Sequence, residues 1–114
     1  MRPTGENLIT IDRRYRGPLH SGNGGYTAGL LAGFVDGPAE VTLRLPPPLE
    51  RSLRVAAEDG RVLLLDGEEL VAEARPAEVE LDAPEPPTPD QARAATARHV
   101  RFGGENFSEC FSCG

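Results

Sequence analysis

Gly22-Asn23-Gly24-Gly25-Tyr26-Thr27-Ala28-Gly29-Leu30-Leu31-Ala32-Gly33-Phe34-Val35 decides the fold: a glycine-rich approach running into an apolar stretch. That stretch, about ten residues over positions 26–35, suits a short buried helix better than a strand. Gly25, Gly29 and Gly33 recur at helical spacing with Ala28 and Ala32 beside them, so one helix face has almost no side chains. A helical glycine costs about 1 kcal/mol relative to alanine, so such a face is expected to lie close against another backbone. Bare helix faces also dimerise within membranes, but a bilayer needs about 20 apolar residues. The expectation is therefore a helix pressed into a curved sheet.

The flanking segments supply the sheet. Upstream, Leu-Ile-Thr-Ile-Asp-Arg-Arg-Tyr-Arg over positions 8–16 reads as a strand ended by Gly17 and Pro18. Asp36-Gly37-Pro38 stops the helix. Positions 39–45 then alternate, with Val41, Leu43 and Leu45 set against Glu40, Thr42 and Arg44. Pro46-Pro47-Pro48 cannot donate ladder hydrogen bonds, so this strand must bend or lie at an edge. Extended runs follow at 52–57, 61–65 and 69–75, separated by turn signals at Glu58-Asp59-Gly60 and Asp66-Gly67. Beyond Pro76, positions 77–81 alternate again. The reading is a body over residues 1–82, a stiff proline-rich linker over 83–89, and a C-terminal helix and tail over 90–114. Thr88 as N-cap, Pro89 at the first helical position and Gln91 mark the start of that second helix, whose weak apolar stripe makes it peripheral. The tail ends in Cys110-Phe111-Ser112-Cys113-Gly114 and, with Phe102 and Phe107, holds three of the chain's six aromatic residues, so it is expected to dock on something.

Composition narrows the function. The chain has 114 residues, room for one modest core, and its apolar fraction of 39% with four Phe, two Tyr and no Trp makes that core mostly aliphatic. Eighteen acidic residues against twelve basic ones give a net charge of −6, which argues against a nucleic-acid partner. Every basic residue is Arg, so Schiff-base chemistry and a P-loop lysine are excluded. No apolar run has the length of a membrane span and the N-terminus lacks a secretory apolar stretch, so a cytoplasmic location is expected. The two cysteines cannot make a disulfide framework.

The element order, strand, glycine-rich loop, central helix and antiparallel strands, reads as α+β. A one-faced sheet must cover its apolar side, and a single short helix does so only if the sheet curls around it. Over residues 8–81 the chain thereby resembles the hotdog fold of the acyl-CoA thioesterase and dehydratase superfamily, a curved antiparallel sheet wrapped around one central helix, here with a C-terminal arm. The resemblance is carried by Gly22-Asn23-Gly24-Gly25-Tyr26 entering Ala28-Gly29-Leu30-Leu31-Ala32, by residues 39–48, and by Val71-Ala72-Glu73-Ala74-Arg75. Asn-Gly-Gly-Tyr, Leu-Arg-Leu-Pro-Pro-Pro-Leu and the final Cys-Phe-Ser-Cys-Gly are together similar to the first half of actinobacterial thioesterase-like proteins, which continue into a second hotdog half. A half-sized protein or a fragment would leave a sheet edge open, so a homodimer or a separate second half is the expected partner.

The resemblance implies an acyl-CoA or other acyl-thioester ligand and, in an enzyme, thioester hydrolysis. Asn23, Gly24 and Gly25 are then the catalytic candidates: helix N-terminal N–H groups polarise the thioester carbonyl, while Asn23 orients that carbonyl or a water. The same residues also serve a plain tight turn. Tyr26, Leu30, Leu31 and Phe34 are the substrate-binding candidates, lining an apolar slot. The family's helix carboxylate is missing: Leu30-Leu31-Ala32-Gly33 cannot take a proton, and Asp36 sits at the helix end. This keeps a non-catalytic assembly module as the alternative. His20-Ser21 is a weaker nucleophile candidate, because chain neighbours rarely face each other as base and nucleophile do. Cys110 and Cys113 are free thiols packed at an interface, half of a zinc site completed by His99, by His20 or by a second copy, or a redox dithiol.

Overall fold

The computed structural model describes residues 7–98 and 108–113. Five strands, β1 (Asn7–Thr10), β2 (Ala39–Leu43), β3 (Ser52–Glu58), β4 (Arg61–Asp66) and β5 (Glu69–Pro76), form one antiparallel sheet in the order β1-β3-β4-β5-β2. Two helices, α1 (Gly24–Ala32) and α2 (Pro89–Ala97), complete the α+β architecture. The meander is confined to β3, β4 and β5; β2 crosses to the far edge and pairs with β5, Val41 opposite Ala74. Asp59 and Gly60, both with positive φ, close the first hairpin, and Gly67, also at positive φ, opens the second turn.

Register fixes the two faces of the sheet. Leu53 and Val55 on β3, Val62 and Leu64 on β4, and Ala72 and Ala74 on β5 share the face that meets α1, where they close over Leu31 and Ile11, both fully buried. α1 lies against β2, β5 and β4. A register shift at Leu64/Leu65 lets consecutive residues Val71 and Ala72 both reach the core. On the opposite face Glu73 receives Arg44 at 2.6 Å and Arg61 at 2.5 Å. Hydrogen bonds from these guanidiniums hold its carboxyl below the usual carboxylate range.

Several sequence expectations change. The strand expected over 8–16 stops at Thr10, because Asp12 accepts a hydrogen bond from the Arg14 N–H (2.8 Å) and caps a 3-10 turn over Arg13–Tyr15. The central helix begins at Gly24 rather than Tyr26 and ends at Ala32, leaving Phe34 and Val35 in the following turn. Its bare face points away from the sheet: Gly25, Gly29 and Gly33 are exposed, and a Cβ on Gly29 would meet nothing within 4 Å. The sheet takes the face with Thr27 and Leu31 instead, since burying a leucine is worth about 1.5–3 kcal/mol and burying a bare backbone gives little. Residues 77–81 form no strand, and Val79 and Leu81 are exposed. Ala39 at the start of β2 pairs with Pro76, Ala77 N–H still donates to the Pro38 carbonyl (3.0 Å), and beyond that no described strand runs beside the chain.

The second helix matches its reading. Thr88 and Gln91 make both halves of a capping box, and no residue of α2 is buried. The strand over 39–45 is indeed an edge, ending at Leu43, with Arg44 and Leu45 both donating to the Val71 carbonyl before the prolines bend the chain.

Candidate functional site

The loop that enters α1 is pinned from both sides. Gly22 donates to the Pro47 carbonyl (2.7 Å), and a Cβ there would come within 3.1–3.2 Å of Thr27 Oγ1 and Ile11, so glycine is needed for the approach. Asn23 follows as the N-cap. Its Oδ1 accepts from the Tyr26 N–H (2.9 Å), and its carbonyl accepts from Thr27 N–H and Thr27 Oγ1. Among the described residues nothing accepts from the backbone N–H groups of Gly24 and Gly25, so the first turn presents two open donors at the positive end of the helix dipole.

The remaining polar end of Asn23 reaches the tail. Nδ2 donates to Ser112 Oγ (3.0 Å) and lies 3.7 Å from Cys110 Sγ. Phe111 N–H donates to the Arg16 carbonyl (2.6 Å), while its ring packs edge-on against Tyr15 and Tyr26, themselves stacked with centroids 4.1 Å apart. Residues 108–113 therefore dock on the body. The catalytic candidates (Asn23, Gly24, Gly25) and the cysteine pair, separate in the sequence reading, occupy one place. Asn23 and Cys110 lie 87 positions apart, and no spacing rule joins them. Tyr15 and Ser112 also belong here and were missed; the scarcity of aromatic residues was the one available signal, since three of six meet at this point.

The thiols differ. Cys110 is 8% exposed and Cys113 is exposed. A hydrogen bond from the Cys113 thiol, helped by the Ser112 backbone, lowers Cys110 to about 7, and the same contact raises Cys113. His99 lies outside the described residues. Within them no group of three His, Cys, Asp or Glu side chains is placed to hold a metal; two thiols alone are half of the four ligands a structural zinc site requires.

The apolar candidates fare unevenly. Leu31 is in the core and beyond a ligand's reach; Leu30 and Phe34 are half-buried against that core; Tyr26 stacks on Tyr15. A groove of about 330 Å³, which none of these four lines, runs between Pro18, Ser21 and Gly22 on one side and Leu43, Leu45, Pro46 and Pro47 on the other. It adjoins the helix start, since a Cβ on Gly24 would come within 3.1 Å of Leu43 Cδ1. Asp36 lies past the C-terminal end of α1, about 13 Å of helix from Asn23. No hydrogen bond among the described residues joins the side chains of His20 and Ser21, and His20 is exposed. No described helix is long and apolar enough to cross a membrane. Compared with known proteins, the chain matches no family model, no curated protein and no solved structure.

Proposed function

We propose that this protein is a hotdog-like module that binds an acyl thioester, such as a short-chain acyl-CoA, at the N-terminus of α1. The observation that carries the reading is the pair of open N–H donors at Gly24 and Gly25 beside the apolar groove walled by Leu43 and Leu45. The carbonyl oxygen takes the donors, where helix dipole and hydrogen bonds both favour negative charge. The acyl group lies in the Leu43–Pro47 groove instead of beside Leu30, Leu31 and Phe34. Its volume is at the low end of ligand pockets, about 300–1,000 Å³, so a short acyl group suits it. No carboxylate hydrogen-bonds Asn23 among the described residues, which favours binding over hydrolysis in the isolated chain.

Calorimetry with a panel of acyl-CoAs, together with chromatographic detection of free CoA, tests this. Leu45→Arg, which fills the groove without touching the cap, is expected to weaken binding at least tenfold, about 1.4 kcal/mol. Absence of both binding and CoA release across the panel removes the reading. A second reading, assembly with another copy, is favoured by one observation: among the described residues nothing pairs with the outer sides of β1 and β2, which carry exposed Leu8 and Leu43. Light scattering of the full chain is expected to show a dimer; a monomer at every concentration overturns it.

A further inference from the structure

The cysteine pair has a geometry that acyl-thioester binding does not use. Cys110 and Cys113 are the only cysteines of the chain, and they sit in the turn formed by residues 108–113. Ser112 Oγ lies 3.8 Å from one sulfur and 3.9 Å from the other. The turn is fixed to the body by Phe111 N–H on the Arg16 carbonyl, by Asn23 Nδ2 on Ser112 Oγ, and by the Phe111 ring against two tyrosines. One sulfur is enclosed and the other open to solvent.

We propose that Cys110 and Cys113 form a redox-active dithiol that exchanges with low-molecular-weight disulfides, with Cys113 as the entry thiol and Cys110 as the resolving thiol. Burial sets this order. A disulfide R–S–S–R reaches exposed Cys113 but not Cys110, which lies beneath Asn23 and Ser112. The Cys113 thiolate attacks one sulfur of the reagent; a Cys113–S–S–R bond forms, the reagent's S–S bond breaks, and RS⁻ leaves and takes up the proton from Cys113. The Cys110 thiolate then attacks the Cys113 sulfur, forming the Cys110–Cys113 disulfide and expelling the second RS⁻, which takes up the proton from Cys110. The dithiol loses two electrons and two protons, and one R–S–S–R becomes two R–SH. Asn23 Nδ2, 3.7 Å from Cys110 Sγ, favours the thiolate that resolves.

The test uses the full reduced chain, a chelator, and glutathione disulfide as probe, read by intact mass. Wild type is expected to lose two hydrogen atoms and both titratable thiols while remaining free of disulfide-linked dimers. Cys110→Ser is expected to stop at a stable glutathione adduct on Cys113, and Cys113→Ser to form its adduct at least tenfold more slowly, because the remaining thiol is enclosed. A wild-type chain that accumulates the glutathione adduct, forms linked dimers or does not react overturns the proposal. Equal adduct rates for the two single variants overturn the assigned order. Each readout is independent of any acyl-CoA, so failure of the acyl-thioester reading leaves this one standing, and the reverse holds.

Discussion

α1 meets the rest of the molecule in two ways. Its flank is held by the aliphatic core, where Leu31 belongs to one buried cluster with Leu53, Leu64 and Val71 from consecutive strands of the meander. Its N-terminus is held by a polar and aromatic cluster, where Asn23, Tyr15 and Tyr26 meet Cys110, Phe111 and Ser112 from the far end of the chain. The first contact is made of area and is spread over many residues. The second depends on a few directed bonds. Burial therefore fixes where the helix lies, while the cluster sets what surrounds its open N–H donors.

The sharpest way to break that contrast is Leu31→Ala. A fully buried leucine lost from this core is expected to cost about 2–5 kcal/mol, and because the helix position goes with it, core and cluster should melt together in denaturant titrations followed by tyrosine fluorescence and circular dichroism. Asn23→Ala comes next. Losing the cap should cost about 0.5–2 kcal/mol, and it should also free the tail, seen as faster amide exchange at residues 108–113 while β3 to β5 stay protected. If the tail keeps its protection, Asn23 is not what anchors it.

Gly29→Ala tests the third, open side of the helix and carries the opposite sign. With space around the new Cβ and a better helix former in place, stability should rise by about 0.5–1 kcal/mol. A loss would mean that something covers this face. The smallest effect concerns the outer face of the sheet. Because Arg44 and Arg61 lower the Glu73 pKa, its charged form is favoured in the folded state. That contribution is complete above the ordinary carboxylate range and is lost as pH falls through the lowered folded value. Glu73→Gln is expected to flatten the acid side of the stability profile by lowering stability slightly at neutral pH, where Glu73 is charged, while the acid end stays nearly unchanged; the loss is small because the pair is partly solvated.

Much of this fold is legible in the chain. Asp59-Gly60 and Gly67 form the turns their residue types require, Thr88 and Gln91 build the capping box, and the extended runs between those turns become β3, β4 and β5. These features depend on neighbours a few positions apart. The misread features depend on alternatives that local pattern does not rank. Residues 8–16 had the composition of a strand, but the Asp12 side chain accepts from the Arg14 N–H and turns the chain. Residues 77–81 alternate like a strand and have no strand to pair with among the described residues.

The site divides the same way. Asn23 as cap and the donors of Gly24 and Gly25 follow from one short motif, because helix capping is a local hydrogen-bond exchange. That Cys110 and Ser112 lie on that cap, that the groove belongs to Leu43 and Leu45, and that the glycine face looks outward were decided only by tertiary structure. The sequence by itself determined the hairpin turns, the meander strands and the capped second helix, since those choices are settled by bonds within a few residues. Which helix face is buried and which distant segment covers its end depend on total burial over the whole molecule, and Leu31 outweighs the fit of three glycines.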